Sequence, residues 1–95
     1  MVLQRLKTAA GVGRRPHRGA VSELRAHDAA HGTAYVGTLR AWLQEHGDPV
    51  RTALRLGVHE NTVRYRIRRM SELTDLQLDD ADKRFAMMIE LAVRD

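Results

Sequence analysis

The chain has 95 residues and a mass of 10.8 kDa, which is room for one small domain. Lysine and arginine total 16 against 12 acids, so the formal net charge is +4, the pI is near 10.3, and there is no cysteine. Disulfides, thiol nucleophiles and cysteine-ligated metals are thereby excluded, a core this small argues against a deep catalytic cavity, and aromatics at 4% are too few for a base-stacking platform. The first ten residues admit a short helix around Val2 to Ala9, through Val2, Leu3 and Leu6. Arg5 and Lys7 interrupt any apolar run there, so the stretch is not a secretory signal. Gly11, Gly13, Pro16 and Gly19 then break the pattern among Arg14, Arg15 and Arg18, which predicts a mobile basic segment over 1–19 ahead of a domain over 20–95.

From Ala20 the pattern is helical throughout. A short helix over 21–30 turns Val21, Leu24 and Ala29 inward and ends at Gly32. Thr33 is placed to cap the next helix, whose stripe Tyr35, Val36, Leu39, Trp42 and Leu43 repeats at the spacing of one buried face. Gly47 closes it. Asp48-Pro49 is a strong helix start, and a helix over 49–56 is expected to bury Val50, Ala53 and Leu54 before Gly57 stops it. Another follows from Glu60 to Leu73, with Val63, Ile67, Met70 and Thr74 at one azimuth. The last opens at Asp79 or Asp80 and presents Phe85, Met88, Ile89 and Ala92 as its inner stripe, with Met87 and Met88 as core filling. No segment alternates with strand period. The prediction is an all-α fold, a small bundle of about five helices.

The two helices flanking Gly57 form a helix–turn–helix. Ala53 is small where the helices cross, Gly57 can adopt the positive φ of a tight turn, and Val58 faces the core. With Val63 as origin, Arg64, Arg68, Asn61 and Tyr65 fall about 100° to 200° away and Arg69 at about −120°, all directed outward. Arginine suits guanine edges or phosphates, asparagine suits adenine, and tyrosine suits phosphate, so this face fits the major groove of duplex DNA. Thr62 could donate to a phosphate near the helix start. Arg66 lies on the flank, placed to pair with an acid of the same domain. The competing assignment is a helical protein-interaction module whose basic face binds an acidic partner.

Charge is unevenly spread. Residues 59–69 hold Arg64, Arg66, Arg68 and Arg69 against Glu60, whereas residues 71–82 hold Glu72, Asp75, Asp79, Asp80 and Asp82 with no base. The acids that dilute the total are expected beyond the exposed face of the recognition helix.

The run from Leu56 to Met70, with His59-x-Asn61-Thr62 followed by Arg64-Tyr65-Arg66, resembles the C-terminal helix–turn–helix of PucR/CdaR-type bacterial transcription regulators. The likeness extends over residues 24–93, through His27-Asp28, His31-Gly32-Thr33 and Thr38 to Leu43 upstream, and Glu72-Leu73-Thr74 and Leu78-Asp79-Asp80 downstream. The motif is more loosely similar to that of Fis. The resemblance implies that His59, Glu60, Asn61, Thr62, Arg64, Tyr65, Arg68 and Arg69 lie at or near DNA. Residues at the start of helix 60–73 would reach base edges and the later arginines would hold phosphate. It also implies a protein that binds double-stranded DNA as a homodimer, and the composition, with no signal or membrane span, predicts a cytoplasmic one. Asp75 stands where the family has glycine, so the end of the recognition helix should differ. Residues 1–19 are too short for the family's sensor region, so the expectation is a free-standing output domain or the C-terminal part of a larger regulator.

Other constellations have little support. His27 and His31 sit four apart beside Asp28 but lack a third ligand, which favours surface or capping roles over a metal. Gly11-Val12-Gly13 is not a phosphate loop, and Ser22 and Ser71 have no histidine at a useful spacing. Asp79, Asp80 and Asp82 cap a helix rather than form a calcium loop. The expectation is therefore no catalytic residue, no metal, no cofactor and no membrane.

Overall fold

The computed structural model describes residues 19–94; the helix expected around Val2 to Ala9 and nearly all of the basic segment lie outside the described residues. Five helices follow in order: α1 (Ala20–His31), α2 (Tyr35–Gln44), α3 (Pro49–Leu56), α4 (Glu60–Leu73) and α5 (Ala81–Arg94). The described residues contain no strand. The fold class is the all-α bundle that the helical periodicity predicts.

Helix α2 is the axis of the domain and packs against each of the other four. Its side chains Tyr35, Val36, Leu39 and Leu43 are joined in one buried cluster by Val21 and Leu24 of α1, Met70 of α4, Leu76, and Met87 and Leu91 of α5. Leu39 is fully excluded from solvent. Burying one such leucine contributes about 1.5–3 kcal/mol.

The breaks between helices follow local chemistry. Gly32 and Gly57 end α1 and α3 with φ of 70° and 73°, the left-handed region that glycine enters without a Cβ penalty. After α2 the chain turns through two left-handed residues, His46 and Gly47. Asp48 caps α3 as expected, accepting from the backbone N–H groups of Val50 and Arg51 at 3.0 and 3.1 Å. At α5 the cap is Asp80, whose carboxylate accepts from Lys83 N–H at 3.1 Å.

The cap of α2 differs from expectation. Thr33 does not accept a bond from the first turn. Asp28, near the end of α1, reaches over and accepts from Tyr35 and Val36 N–H at 2.9 and 3.0 Å, while the Thr33 hydroxyl donates to the same carboxylate. A carboxylate is the stronger partner for a helix N-terminus, and here it also ties α1 to α2. Because the Thr33 proton goes to Asp28, the Thr33 oxygen is left to accept, and His27 Nδ1 at 3.0 Å is its donor. His27 also stacks on Tyr35 with ring centroids 5.0 Å apart. His27 and Asp28 thus serve the α1–α2 corner.

Two inner faces are turned from their predicted positions, and one α1 residue lies outside. In α3 the buried residues are Thr52 and Ala53, whereas Val50 and Leu54 are exposed, Leu54 by 78%. The Thr52 hydroxyl donates to the Asp48 carbonyl at 2.7 Å, which satisfies it and lets a polar residue occupy the inner stripe. In α5 the buried residues are Met87 and Leu91; Phe85, Met88 and Ile89 lie outside, and Ala92 is exposed as well. The true inner stripe begins at half-buried Arg84, a residue that an apolar pattern disfavours. Its guanidinium donates to the Leu78 carbonyl at 2.8 Å, which makes the position tolerable. In α1 Ala29 is exposed.

Helix α4 ends at Leu73, and Thr74 is extended with φ of −151°, its hydroxyl donating to Glu23 of α1 instead of lying in the core. No left-handed residue follows the helix directly, in keeping with aspartate at position 75, and Leu76 enters the core from the connecting segment.

The rotation of α5 separates two substitutions. Leu91→Ala should lower stability by about 2–5 kcal/mol, the usual loss for a core leucine, while Phe85→Ala should change it by less than about 1 kcal/mol. Denaturant unfolding of both variants checks this; equal losses would restore the predicted face.

Candidate nucleic-acid interface

Three residues, Gly57, Val58 and His59, separate α3 from α4. Backbone N–H groups of Gly57 and Val58 both donate to the Ala53 carbonyl, at 2.8 and 3.1 Å, which closes α3 tightly. Val63 and Ala53 are buried where α3 and α4 pack, and Val58 is half-buried over the turn. Farther along the same face of α4, Met70 is fully buried and Ile67 partly so.

With that side sealed, the rest of α4 faces solvent. Asn61, Arg64, Tyr65 and Arg68 are all exposed, and Glu60, Thr62 and Arg69 are partly so. His59, also exposed, is the N-cap: its Nδ1 accepts from Asn61 N–H at 3.0 Å. The eight predicted contact residues therefore lie together on and before one helix.

Their charges are less open than the sequence indicates. Arg64 donates through Nε and Nη2 to Glu60 Oε2, at 3.2 and 2.8 Å. Arg69 donates through Nη1 to Glu72 Oε1 at 2.5 Å, and that carboxylate pushes the Arg69 guanidinium pKa further up. Arg68 has no carboxylate partner among the described residues; its guanidinium carbon lies 5.6 Å from the Tyr65 ring centroid. The expectation that the acids of residues 71–82 lie clear of the exposed face is corrected at Glu72, which pairs with Arg69; Glu60, already counted within the basic zone, pairs with Arg64. Arg66 donates not to an acid but to the buried Thr38 hydroxyl of α2, at 3.1 Å.

Two positioning contacts have no local sequence signal. One is Arg66 with Thr38, 28 residues apart. The other is Glu45, just after α2, whose two carboxylate oxygens accept from Arg51 at 3.0 Å and Arg55 at 2.6 Å on successive turns of α3. Hydrogen bonds from Arg55 first, then Arg51, hold the Glu45 carboxyl below its ordinary value of 4.5. No group of three or more metal-ligating side chains occurs among the described residues, and none of their helices is long and apolar enough to cross a membrane.

A basic, solvent-facing second helix on a helix–turn–helix defines the class: a domain of the kind that binds nucleic acid. The chain belongs to the PucR C-terminal helix-turn-helix domain family, which matches it over residues 35–93. It is 47% identical over 55 residues to the "Uncharacterized protein in pkwA 5'region" of Thermomonospora curvata, covering 58% of this chain and 31% of that protein. It is 41% identical over 54 residues to the carbohydrate diacid regulator of Escherichia coli (strain K12), covering 57% of this chain and 14% of that one. Against the DNA-binding transcriptional activator AdeR of Bacillus subtilis (strain 168) the identity is 24% over 74 residues, 78% of this chain and 18% of the other. The chain thus spans less than a third of the length of these curated relatives. No solved structure matches. Membership identifies a DNA-binding domain of transcription-regulator type and points away from an enzymatic role.

Two expected outcomes follow from the local geometry. His59→Ala removes the acceptor at the start of α4 and should cost about 0.5–2 kcal/mol, with much of the loss recovered in His59→Ser, as read by thermal unfolding. Glu45 acts through a lowered folded pKa, so its contribution is present above the ordinary glutamate value and lost as pH falls through the folded value. Glu45→Gln should therefore be less stable than the parent at pH 7 and converge with it in acid; parallel stability curves down to pH 2 would refute that role.

Proposed function

We propose that this domain binds duplex DNA sequence-specifically as the output domain of a bacterial transcription regulator, with α4 in the major groove. The supporting observation is the division of α4: Val63 and Met70 are sealed into the domain while Asn61, Arg64, Tyr65 and Arg68 are all presented to solvent. At 14 residues the helix is about 21 Å long, and its diameter suits the groove. His59, Glu60, Asn61 and Thr62 stand at the end that approaches the base edges, with Asn61 suited to adenine and Arg64 to guanine. Tyr65, Arg68 and Arg69 hold the phosphate backbone. The arginines of residues 1–18 add contacts that do not depend on sequence. One recognition helix reads only a short site, so two copies act together on half-sites about 34–36 Å apart. The relatives named as a carbohydrate diacid regulator and as a DNA-binding transcriptional activator agree with this assignment.

Fluorescence anisotropy with labelled duplex, repeated across salt concentrations, tests the proposal. Log K should fall with log salt at a slope of about −3 to −5, the value for a few neutralised phosphates. Arg64→Ala and Asn61→Ala should lose discrimination between sites, while Arg15→Ala should weaken all sequences alike. Absence of binding at low salt would overturn the proposal in favour of a helical module with an acidic protein partner.

A further inference from the structure

Glu60 is the one acid in the first two turns of a helix offered to a polyanion. An isolated carboxylate there would repel phosphate. It is not isolated: a single oxygen, Oε2, accepts from both Nε and Nη2 of Arg64. A guanidinium has five N–H donors in a rigid planar fork. Glu60 occupies the Nε/Nη2 edge and leaves the Nη1/Nη2 edge, a parallel pair of donors that matches the O6 and N7 acceptors of guanine. The paired arginine also brings little net charge, so it gains less from a phosphate than Arg68 does. Arg68 has no carboxylate partner among the described residues and rests against Tyr65.

We infer that Glu60 is a positioning residue that turns Arg64 from a phosphate clamp into a reader of a guanine-containing base pair. The inference rests on the proposed function, and it divides Arg64 and Arg68, the exposed arginines of α4, by role. Arg64, held by Glu60, supplies site preference; Arg68 supplies salt-dependent affinity.

The test is selection of bound duplexes from a random pool by the full chain as wild type, Glu60→Gln, Arg64→Ala and Arg68→Ala, followed by anisotropy on the selected site at several salt concentrations. Glu60→Gln and Arg64→Ala should lose preference at the same base pair, with Glu60→Gln losing about threefold to tenfold in discrimination, a part of what one bidentate contact supplies. Removal of the carboxylate should leave binding to unrelated duplex equal or tighter and make its salt slope steeper by up to about 1. Arg68→Ala should make the slope shallower by about 1 and leave the selected site unchanged. A role for Glu60 in helix stability alone would weaken binding to every sequence alike, and that result would overturn the inference. So would an unchanged site preference in Glu60→Gln, or a change at a base pair other than the one Arg64→Ala affects. In each of those cases the wild type still selects a site and the DNA-binding proposal stands; a wild type that selects nothing overturns both.

Discussion

Everything in this domain leans on the burial of α2. A chain of this size can enclose one small core, and Leu39 stands at its centre with no solvent contact. The other four helices each pack against α2. Its start is fixed by Asp28 from α1, and the turn after its end places Glu45 against α3. Its middle offers the Thr38 hydroxyl to Arg66 of α4. Helix α4 is therefore held by the Arg66–Thr38 hydrogen bond to α2 as well as by the apolar seal at Val63 and Met70.

This arrangement explains how a basic helix is held in place without being buried. Much of its circumference faces solvent, so its stability comes from its ends and its inner edge. His59 closes the N-terminal end, and Met70 anchors the last turns. The ion pairs on the outer face are solvent-exposed and contribute little to stability; their main effect is on which donors remain available.

Much of this was legible in the sequence, and the exceptions share a cause. The bounds of α4 and the caps at Asp48 and Gly57 follow from strictly local chemistry. The outward placement of Asn61, Arg64, Tyr65 and Arg68 follows from periodicity once Val63 is inside. Periodicity fails where a polar residue sits on the inner stripe and finds a partner from elsewhere. Thr52 can be buried because it bonds the Asp48 carbonyl, and Arg84 half-buried because it reaches the Leu78 carbonyl. A wheel that scores only apolar residues turned α3 and α5 to the wrong side for that reason. Leu76 was missed because it reaches the core from a connection. The Thr38–Arg66 and Glu45–Arg55 contacts join residues too far apart for any local rule.

One side chain gives the domain an optical handle. Trp42 is the single tryptophan of the chain, and its indole lies beside Gly47, where a Cβ would come within 3.6 Å of the ring. It shares a cleft with Leu78, Arg84 and Met88, so the ring borders both the α2–α3 corner and α5. Its emission therefore senses the hydration of one defined place, the seam between the helix–turn–helix support and the last helix. Undocking of α5 would wet the indole and red-shift its emission while most of the helical dichroism persists. A two-probe comparison can thus separate loosening of that seam from loss of the whole fold.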